Sequence, residues 1–194
     1  MKKMPCLFVR NFFDKRSFEI TREVTKGCEW VINGEGIASI KRDGTACAVI
    51  NGNLYRRYDA KAGKKPPVGA IPCDPEPDTI TKHWPHWVLV DKEDSGSKYH
   101  IDALSRASLL DGTYELIGPK INGNPENFAE HSFIRHGAEV IEVPRDFDEL
   151  KEFLLNFDFE GVVFSHPDGR KCKIRKDDFG YVRNSSVKKQ NGEK

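Results

Sequence analysis

The sequence has little of what marks secreted, membrane-embedded or uniformly basic proteins. Its five cysteines are scattered, odd in number and never in C-x-x-C spacing, which argues against a disulfide framework and for free thiols in a reducing compartment. No hydrophobic run is as long as a membrane span, so we expect a soluble, cytoplasmic protein with no export signal and no membrane partner. Because the formal net charge is only +1, any contact with nucleic acid must depend on local basic patches.

The chain is nevertheless large enough to fold by itself. It has 194 residues, of which 38% are hydrophobic and 31% are charged, and this is typical of one globular domain with a proper core. We predict one domain over residues 1–180. Residues 181–194 are too polar to fold alone, and we expect a flexible tail there.

Signals for β-structure dominate the chain. Short runs rich in Val, Ile, Phe and Trp, such as "CLFV", "SFEITREV" and "CEWVI", are typical of strands. Residues 36–58 contain three apolar runs separated by Asp-Gly and Asn-Gly turns, which predicts a meander of three antiparallel strands. Further strands are expected in "WVLVD", "KYHIDAL", "GTYELIG" and "AEVIEV", and a last hairpin is expected in "EGVVF" and "KCKIR".

One segment has clear helical periodicity. In residues 146–157, "DFDELKEFLLNF", apolar side chains recur three and four positions apart, which predicts a helix whose aromatic residues join the core. The proline-rich segment 63–86 suits neither a helix interior nor a central strand, and we expect a long ordered loop or a small insertion. Its Cys73, His83 and His86 lack a fourth ligand, which disfavours a zinc site. The predicted fold class is α+β with mainly antiparallel sheets.

Several charged side chains stand where packing alone does not explain them. Lys41 ends an apolar strand and is followed by Asp43-Gly44, although K-x-D-G by itself is also what an ordinary turn needs. In "GTYELIG" the period of two directs Glu115 away from the packed side of the strand. Glu160 stands at the entry of the apolar strand "GVVF", where a carboxylate suits a hard cation better than it suits packing.

The last predicted strand carries a row of cations. Lys171, Lys173 and Arg175 alternate along "RKCKIRK", so a period of two puts all three on one face. Their mutual repulsion is unfavourable unless something anionic covers them. A polyphosphate would satisfy this face, and so would solvent.

Five motifs thus follow one another in a particular order. They are K-R-D-G at 41–44, Arg57 on the following strand, "YELIG", "EGVVF" and "KCKIRKDDF". This order resembles the motif series of the covalent nucleotidyltransferases, which include ATP-dependent DNA and RNA ligases and messenger-RNA capping enzymes. Within that superfamily the chain is most similar to small ATP-dependent RNA ligases found in vertebrate cytosol and in some viruses, through "DGTACAV", "LYRRYDAK", "HWVLVD", "ELIGPKINGNPENF" and "HGAEVI". The similarity extends from about Pro5 to Gly180.

The resemblance implies a nucleotidyltransferase adenylation fold in which antiparallel sheets flank an ATP cleft. It also implies an enzyme that joins RNA 5′-phosphate and 3′-hydroxyl ends in three steps. A lysine takes AMP from ATP, the AMP moves to the RNA 5′-phosphate, and the 3′-hydroxyl then expels it. The implied cofactors are ATP and either Mg²⁺ or Mn²⁺, since both ions accept the same oxygen ligands. The natural RNA and the oligomeric state stay open.

The same resemblance gives each motif residue a role. Lys41 is the residue that carries AMP, and it must attack as the neutral amine, a form that nearby cations favour. Asp43 positions Lys41 or a metal-bound water, and Glu160 helps to hold the metal. The expected nucleotide contacts are Arg57 to phosphate or ribose, Glu115 to a ribose hydroxyl, Phe133 to adenine by stacking, and Lys173 and Arg175 to the α-phosphate.

Some alternatives remain. A capping guanylyltransferase or a DNA ligase uses the same lysine chemistry, but most of them append an OB-fold domain, and we expect none after Gly180. A non-catalytic RNA-binding module is the alternative of another class, although such a relative would be expected to lose Lys41 or a metal carboxylate. The second cation of the last motif is Lys171, Arg175 or Lys176.

Overall fold

The fold is described from a computed structural model, which covers residues 4–14, 17–61, 64–79 and 82–181. Of the tail predicted at 181–194, all but Tyr181 lies outside these residues. The strands are β1 (Phe8–Phe12), β2 (Phe18–Val24), β3 (Ile37–Lys41), β4 (Thr45–Ile50), β5 (Asn53–Ala60), β6 (Ile71–Pro72), β7 (Trp84–Leu89), β8 (Gly112–Ile117), β9 (Ser132–Arg135), β10 (Gly161–Ser165) and β11 (Lys171–Arg175). The α-helices are α1 (Glu29–Ile32), α2 (Lys98–Leu104) and α3 (Phe147–Leu155), and short 3₁₀ turns cover Ser95–Ser97 and Lys176–Phe179.

The strands form antiparallel sheets, so the α+β class with mainly antiparallel sheets is confirmed. β1 pairs with β2, and a three-stranded sheet has the order β11-β10-β3. A six-stranded sheet has the order β6-β7-β5-β4-β8-β9. No helix in the described part of the chain is both long enough and apolar enough to cross a bilayer.

The chain divides into two compact units. Among the described residues, one unit comprises those within 4–43 and 137–181, and we call it the Lys41 unit. The other comprises those within 44–136, and we call it the Glu115 unit. The chain therefore passes from one unit to the other within the K-R-D-G motif.

The core of the Lys41 unit lies against one face of the three-stranded sheet. Val162 of β10 and Ile174 of β11 are fully buried there, together with Leu150 and Leu154 of α3. The spacing of these two leucines is what predicted the helix, and the helix is confirmed at Phe147–Leu155. It begins where the Asp146 side chain accepts hydrogen bonds from the backbone N–H groups of the first turn, which satisfies donors that a helix start leaves unpaired.

The core of the Glu115 unit lies on one face of the six-stranded sheet. Its central members are Cys47, Leu54, Tyr114 and Leu116, and α2 contributes Ala103. Tyr114 and Leu116 alternate with Glu115 as the sequence predicted. A smaller cluster on the other face contains Ala46, Ala48 and Trp87.

Two predicted strands are helices instead. "CEWVI" contains α1, and "KYHIDAL" contains α2. In α2 the buried residues are His100 and Ala103, three positions apart, which is helical spacing that the β-prone composition of the run concealed. "AEVIEV" forms only an isolated bridge, from Val140 to Ser39.

The predicted three-stranded meander over residues 36–58 is also wrong. β4 and β5 form a hairpin as expected, but β3 pairs with β10 and belongs to the Lys41 unit. The Asp43-Gly44 step is therefore a crossing between sheets and not a hairpin turn. The proline-rich segment supplies the short strand β6 and the start of β7, and β6 is an edge strand, the position in which a sheet tolerates proline.

Candidate functional site

The three-stranded sheet of the Lys41 unit places predicted residues side by side. Gly161, the first residue of β10, lies opposite both Lys41 at the end of β3 and Arg175 at the end of β11. Directly opposed residues of antiparallel strands point to the same face, so these three form one row across the sheet. Lys173 is two positions before Arg175 and shares that face. We call Lys41, Lys173 and Arg175 the cationic face.

Glu160 is held at the end of this row by its backbone and by its side chain. Its N–H donates to the Lys41 carbonyl at 3.1 Å, and its own carbonyl accepts from the Lys176 N–H at 3.0 Å. Its carboxylate is only 8% exposed and accepts a hydrogen bond from Lys41 Nζ in an ion pair. The expected positioning of the Lys41 amine by Asp43 stays a prediction.

The surroundings of Lys173 disfavour its protonated form. Burial, and then the charges of Lys41 and Arg175, lower the pKa of Lys173 from 10.5 to about 8. The Glu160 carboxylate acts in the opposite direction without cancelling these effects. An anion above the cationic face would favour the protonated form of Lys173.

The charge cluster also contains Asp178 and Arg10, which were not predicted from the sequence. Asp178 has a fully buried carboxylate that accepts from Arg10 Nη2 at 2.6 Å, from Arg175 Nη2 at 3.1 Å and from the Arg175 N–H at 2.8 Å. Asp178 follows Arg175 by three residues. An acidic residue directly after a cationic strand could have been predicted to pair with it. Arg10 could not have been predicted in this way, because its partner is 168 residues away in the sequence.

The cluster carries more positive than negative charge. Arg10 joins the three cations of the cationic face, and the carboxylates of Glu160 and Asp178 pair with members of this group, while Asp177 adds a further negative charge near Arg175. The Nε atoms of Arg10 and Arg175 are buried and have no hydrogen-bond partner among the described residues. Surplus buried positive charge is unfavourable, so this cluster is suited to bind an anion.

Position 161, in the middle of the row, requires glycine. A Cβ there would lie 2.2 Å from the Ile174 carbonyl oxygen and 2.8 Å from Arg175 Cα, because β10 and β11 approach each other too closely for a side chain. The row therefore has no side chain between Lys41 and Arg175.

A second set of predicted residues shares one face of the six-stranded sheet in the Glu115 unit. Glu115 on β8 lies opposite Ala46 on β4, and Ala48 lies opposite Tyr55 on β5. Arg57 follows Tyr55 by two residues and so points to the same side. We call this side the Glu115 face. Its two alanines are buried in the cluster that they form with Trp87.

The Glu115 carboxylate is fixed by close neighbours. His136 Nε2 lies 2.8 Å from Glu115 Oε2, and His136 Nδ1 lies 3.0 Å from Thr113 Oγ1. A Cβ on Gly44 would be 2.7 Å from Glu115 Cγ and 2.3 Å from the Leu116 carbonyl oxygen. The glycine of K-R-D-G is thus required because the chain runs tightly over β8 beside Glu115.

Phe133 does not share the Glu115 face. It lies opposite Leu116 on β9, which puts it on the core side of the sheet, and its ring centroid is 6.4 Å from that of Tyr114 in an edge-to-face arrangement. Ile134 is the β9 residue opposite Glu115. The expectation that Phe133 stacks on adenine therefore does not fit this register, and Ile134 stands where that contact was expected.

Arg57 lies among acidic residues. Its Nε donates to Asp59 at 3.1 Å, and it lines an open cleft with Asp74, Glu76 and His83. Within the described ranges, no group of three or more His, Cys, Asp or Glu side chains is arranged to hold a metal ion. A phosphate or ribose contact for Arg57 stays a prediction.

The structure thus brings Lys41, Glu160, Lys173 and Arg175 together in one unit, and it sets Arg57 and Glu115 on one face of the other. Asp43 is half-buried at the end of the first segment of the Lys41 unit. Comparison of the chain with models of known protein families and with curated proteins finds no match.

Proposed function

We propose that the protein is an ATP-dependent RNA ligase with the nucleotidyltransferase fold and an ATP cleft, and that Lys41 carries AMP during the reaction. The observation that best supports the proposal is the cationic face around a lysine whose amine is paired with a buried carboxylate. An ordinary structural lysine is exposed and solvated. Lys41 is instead part of a cluster whose surplus positive charge suits a polyphosphate.

In the first step, Lys41 Nζ attacks the α-phosphorus of ATP, forming a nitrogen–phosphorus bond as the bond to pyrophosphate breaks. The amine must lose a proton to act as a nucleophile, and this proton passes to the solvent. Glu160 already accepts a hydrogen bond from this amine and thereby orients it. Lys173 and Arg175 stabilise the charge that builds on the phosphate oxygens, which is where most of the rate enhancement in phosphoryl transfer arises.

Glu160 also suits a divalent cation. Mg²⁺ is usually held by one or two carboxylates together with substrate phosphates and water, and the buried Glu160 carboxylate beside an anion-binding face fits this donor set. Asp43 is the second carboxylate of the proposal. A bound metal would supply further positive charge at the phosphates.

Residues of the Glu115 unit are proposed to bind the nucleoside. Glu115 accepts a hydrogen bond from a ribose hydroxyl, and Arg57 contacts ribose or phosphate. Ile134, across from Glu115 on the same face, offers an aliphatic surface to the base in place of the expected Phe133.

The later steps involve RNA. AMP moves from Lys41 to the RNA 5′-phosphate, and the 3′-hydroxyl then attacks that phosphate and releases AMP. Lys171 is exposed at the start of β11, on the same face as Lys173, and it is proposed to contact the RNA backbone. Lys41 is not a nucleophile in the last step, so a Lys41→Ala variant should still seal RNA that already carries AMP.

One experiment separates this proposal from its alternatives. The protein is incubated with a divalent metal and either radiolabelled ATP or radiolabelled GTP and is run on a denaturing gel. Label from ATP supports a ligase, label from GTP supports a capping enzyme, and no label supports a non-catalytic RNA-binding module. Sealing assays on matched RNA and DNA ends then distinguish an RNA ligase from a DNA ligase.

A further inference from the structure

His136 bridges two side chains of β8. Its Nε2 is 2.8 Å from Glu115 Oε2, and its Nδ1 is 3.0 Å from Thr113 Oγ1. Glu115 and Thr113 are two residues apart on one strand and therefore point to the same face. His136 comes directly after β9, the neighbouring strand, and its N–H donates to the Thr113 carbonyl at 3.1 Å, so the backbone sets the ring above both side chains.

The contacts also fix what each ring nitrogen does. A carboxylate accepts only, so His136 Nε2 must carry the hydrogen that it donates to Glu115. The hydroxyl of Thr113 can both donate and accept, and it satisfies Nδ1 in either form of the ring. Thr113 thus holds the ring in place, while Nε2 fixes the direction of the carboxylate.

Only one oxygen of the carboxylate is used in this way. His136 bonds to Oε2, and the described residues provide no hydrogen bond to Oε1. The side chains of Glu115 and His136 are 14% and 24% exposed, so the pair is reachable by a ligand but is largely shielded from water. A hydrogen bond in such a place depends strongly on the direction of its acceptor.

We propose that His136 is a positioning residue for nucleotide recognition, which orients Glu115 so that Oε1 accepts the ribose hydroxyl. This inference rests on the proposed function, because it takes Glu115 to be the ribose contact. His136 itself does not touch the nucleotide. Its loss should therefore reduce the ability to distinguish a ribose from a deoxyribose, and should affect the rest of nucleotide binding less.

The test measures binding of AMP, 2′-deoxy-AMP and 3′-deoxy-AMP by calorimetry, since these probes cannot transfer AMP to the protein. The wild type should prefer AMP by about tenfold or more over the analogue that lacks the recognised hydroxyl. Glu115→Ala should abolish this preference, and His136→Ala should reduce it to about threefold or less. His136→Gln should restore much of it, because the glutamine amide nitrogen can take the place of Nε2.

A matched control is His166→Ala. His166 also pairs with a carboxylate, that of Glu35 at 3.1 Å, but it belongs to the Lys41 unit, and its loss should leave the preference unchanged. Combining Glu115→Ala with His136→Ala should give no further loss of preference, because both act through the same hydrogen bond. Thermal melting of each variant shows that it is folded.

Three results would overturn the inference, and they differ in meaning. If His136→Ala weakens all three probes equally while Glu115→Ala removes the preference, His136 has only a structural role, and the proposed function is untouched. If Glu115→Ala keeps the preference, Glu115 is not the ribose contact and the inference fails with it. If the wild type binds none of the probes and takes no AMP from ATP, the proposed function has failed.

Discussion

Replacing Lys173 by methionine should make the protein more stable at neutral pH and should change how its stability depends on pH. The pKa of Lys173 is lowered from 10.5 to about 8 in the folded protein, and each unit of difference is about 1.4 kcal/mol. Below pH 8 the lysine is protonated in both the folded and the unfolded state. The shift in its pKa then lowers the free energy of unfolding by its full amount, about 3 kcal/mol. Between pH 8 and 10.5 the unfolded chain binds more protons, and the free energy of unfolding therefore rises with pH.

Urea unfolding from pH 7 to about pH 10.5, in the presence of a reductant, measures this effect. Burial raises the pKa of several cysteine thiols, and this makes the free energy of unfolding fall as the pH rises over the same range. The quantity to compare is therefore the difference in free energy of unfolding between wild type and variant. The free energy of unfolding of Lys173→Met should exceed that of the wild type by about 3 kcal/mol at pH 7, and this gap should close towards pH 10.5. The exposed Lys171→Met is the control and should show no gap. A gap for Lys173→Met that does not change with pH would mean that the lowered pKa of Lys173 is not its cause.

Further predictions concern the carboxylates and the RNA contact. Glu160→Gln should raise the metal concentration needed for adenylylation of Lys41 or abolish it, whereas Glu115→Gln should mainly weaken nucleotide binding, which titrations of metal and of ATP would separate. Lys171→Ala should take AMP normally but seal RNA poorly in a ligation assay, and added salt should reduce sealing more than adenylylation. Asp178→Ala should cost about 3–5 kcal/mol in urea unfolding, because it leaves buried guanidinium groups without their carboxylate.

Each of these predictions has a result that contradicts it. Equal metal dependence of the two glutamine variants would mean that the roles of the carboxylates are wrong. Normal sealing by Lys171→Ala would remove that residue from the RNA contact. The exposed ion pair of Asp148 with Arg22 provides the control for Asp178→Ala, since solvent screens it and its loss should destabilise the protein much less. A similar cost at both positions would argue against a special role for the buried carboxylate.

Much of the charged cluster could be predicted from alternation along a single strand. The period of two along β11 put Lys171, Lys173 and Arg175 on one face, and the register confirms it. The same rule separated Glu115 from the core side of β8. In both cases the pattern depends on one strand alone, so no knowledge of the pairing was needed.

What the sequence did not predict depends on which strands pair. Phe133 and Ile134 are neighbours in the sequence, and only the register of β9 with β8 decides which of them shares the Glu115 face. Lys41 lies opposite Gly161 of β10, 120 residues later in the chain, and this pairing brings the Glu160 carboxylate to its amine. Turn residues suggested a hairpin at Asp43-Gly44 because they report local conformation and not the sheet to which the next strand belongs.

The most direct test of the central claim is the mass of the protein after incubation with ATP and a divalent metal. We expect one added AMP, located on Lys41 by peptide mapping. We expect no added AMP on folded Lys41→Ala or on Lys41→Arg, because a guanidinium does not become a neutral nucleophile. An unmodified wild type under these conditions, or AMP found on a different lysine, would mean that Lys41 does not carry AMP.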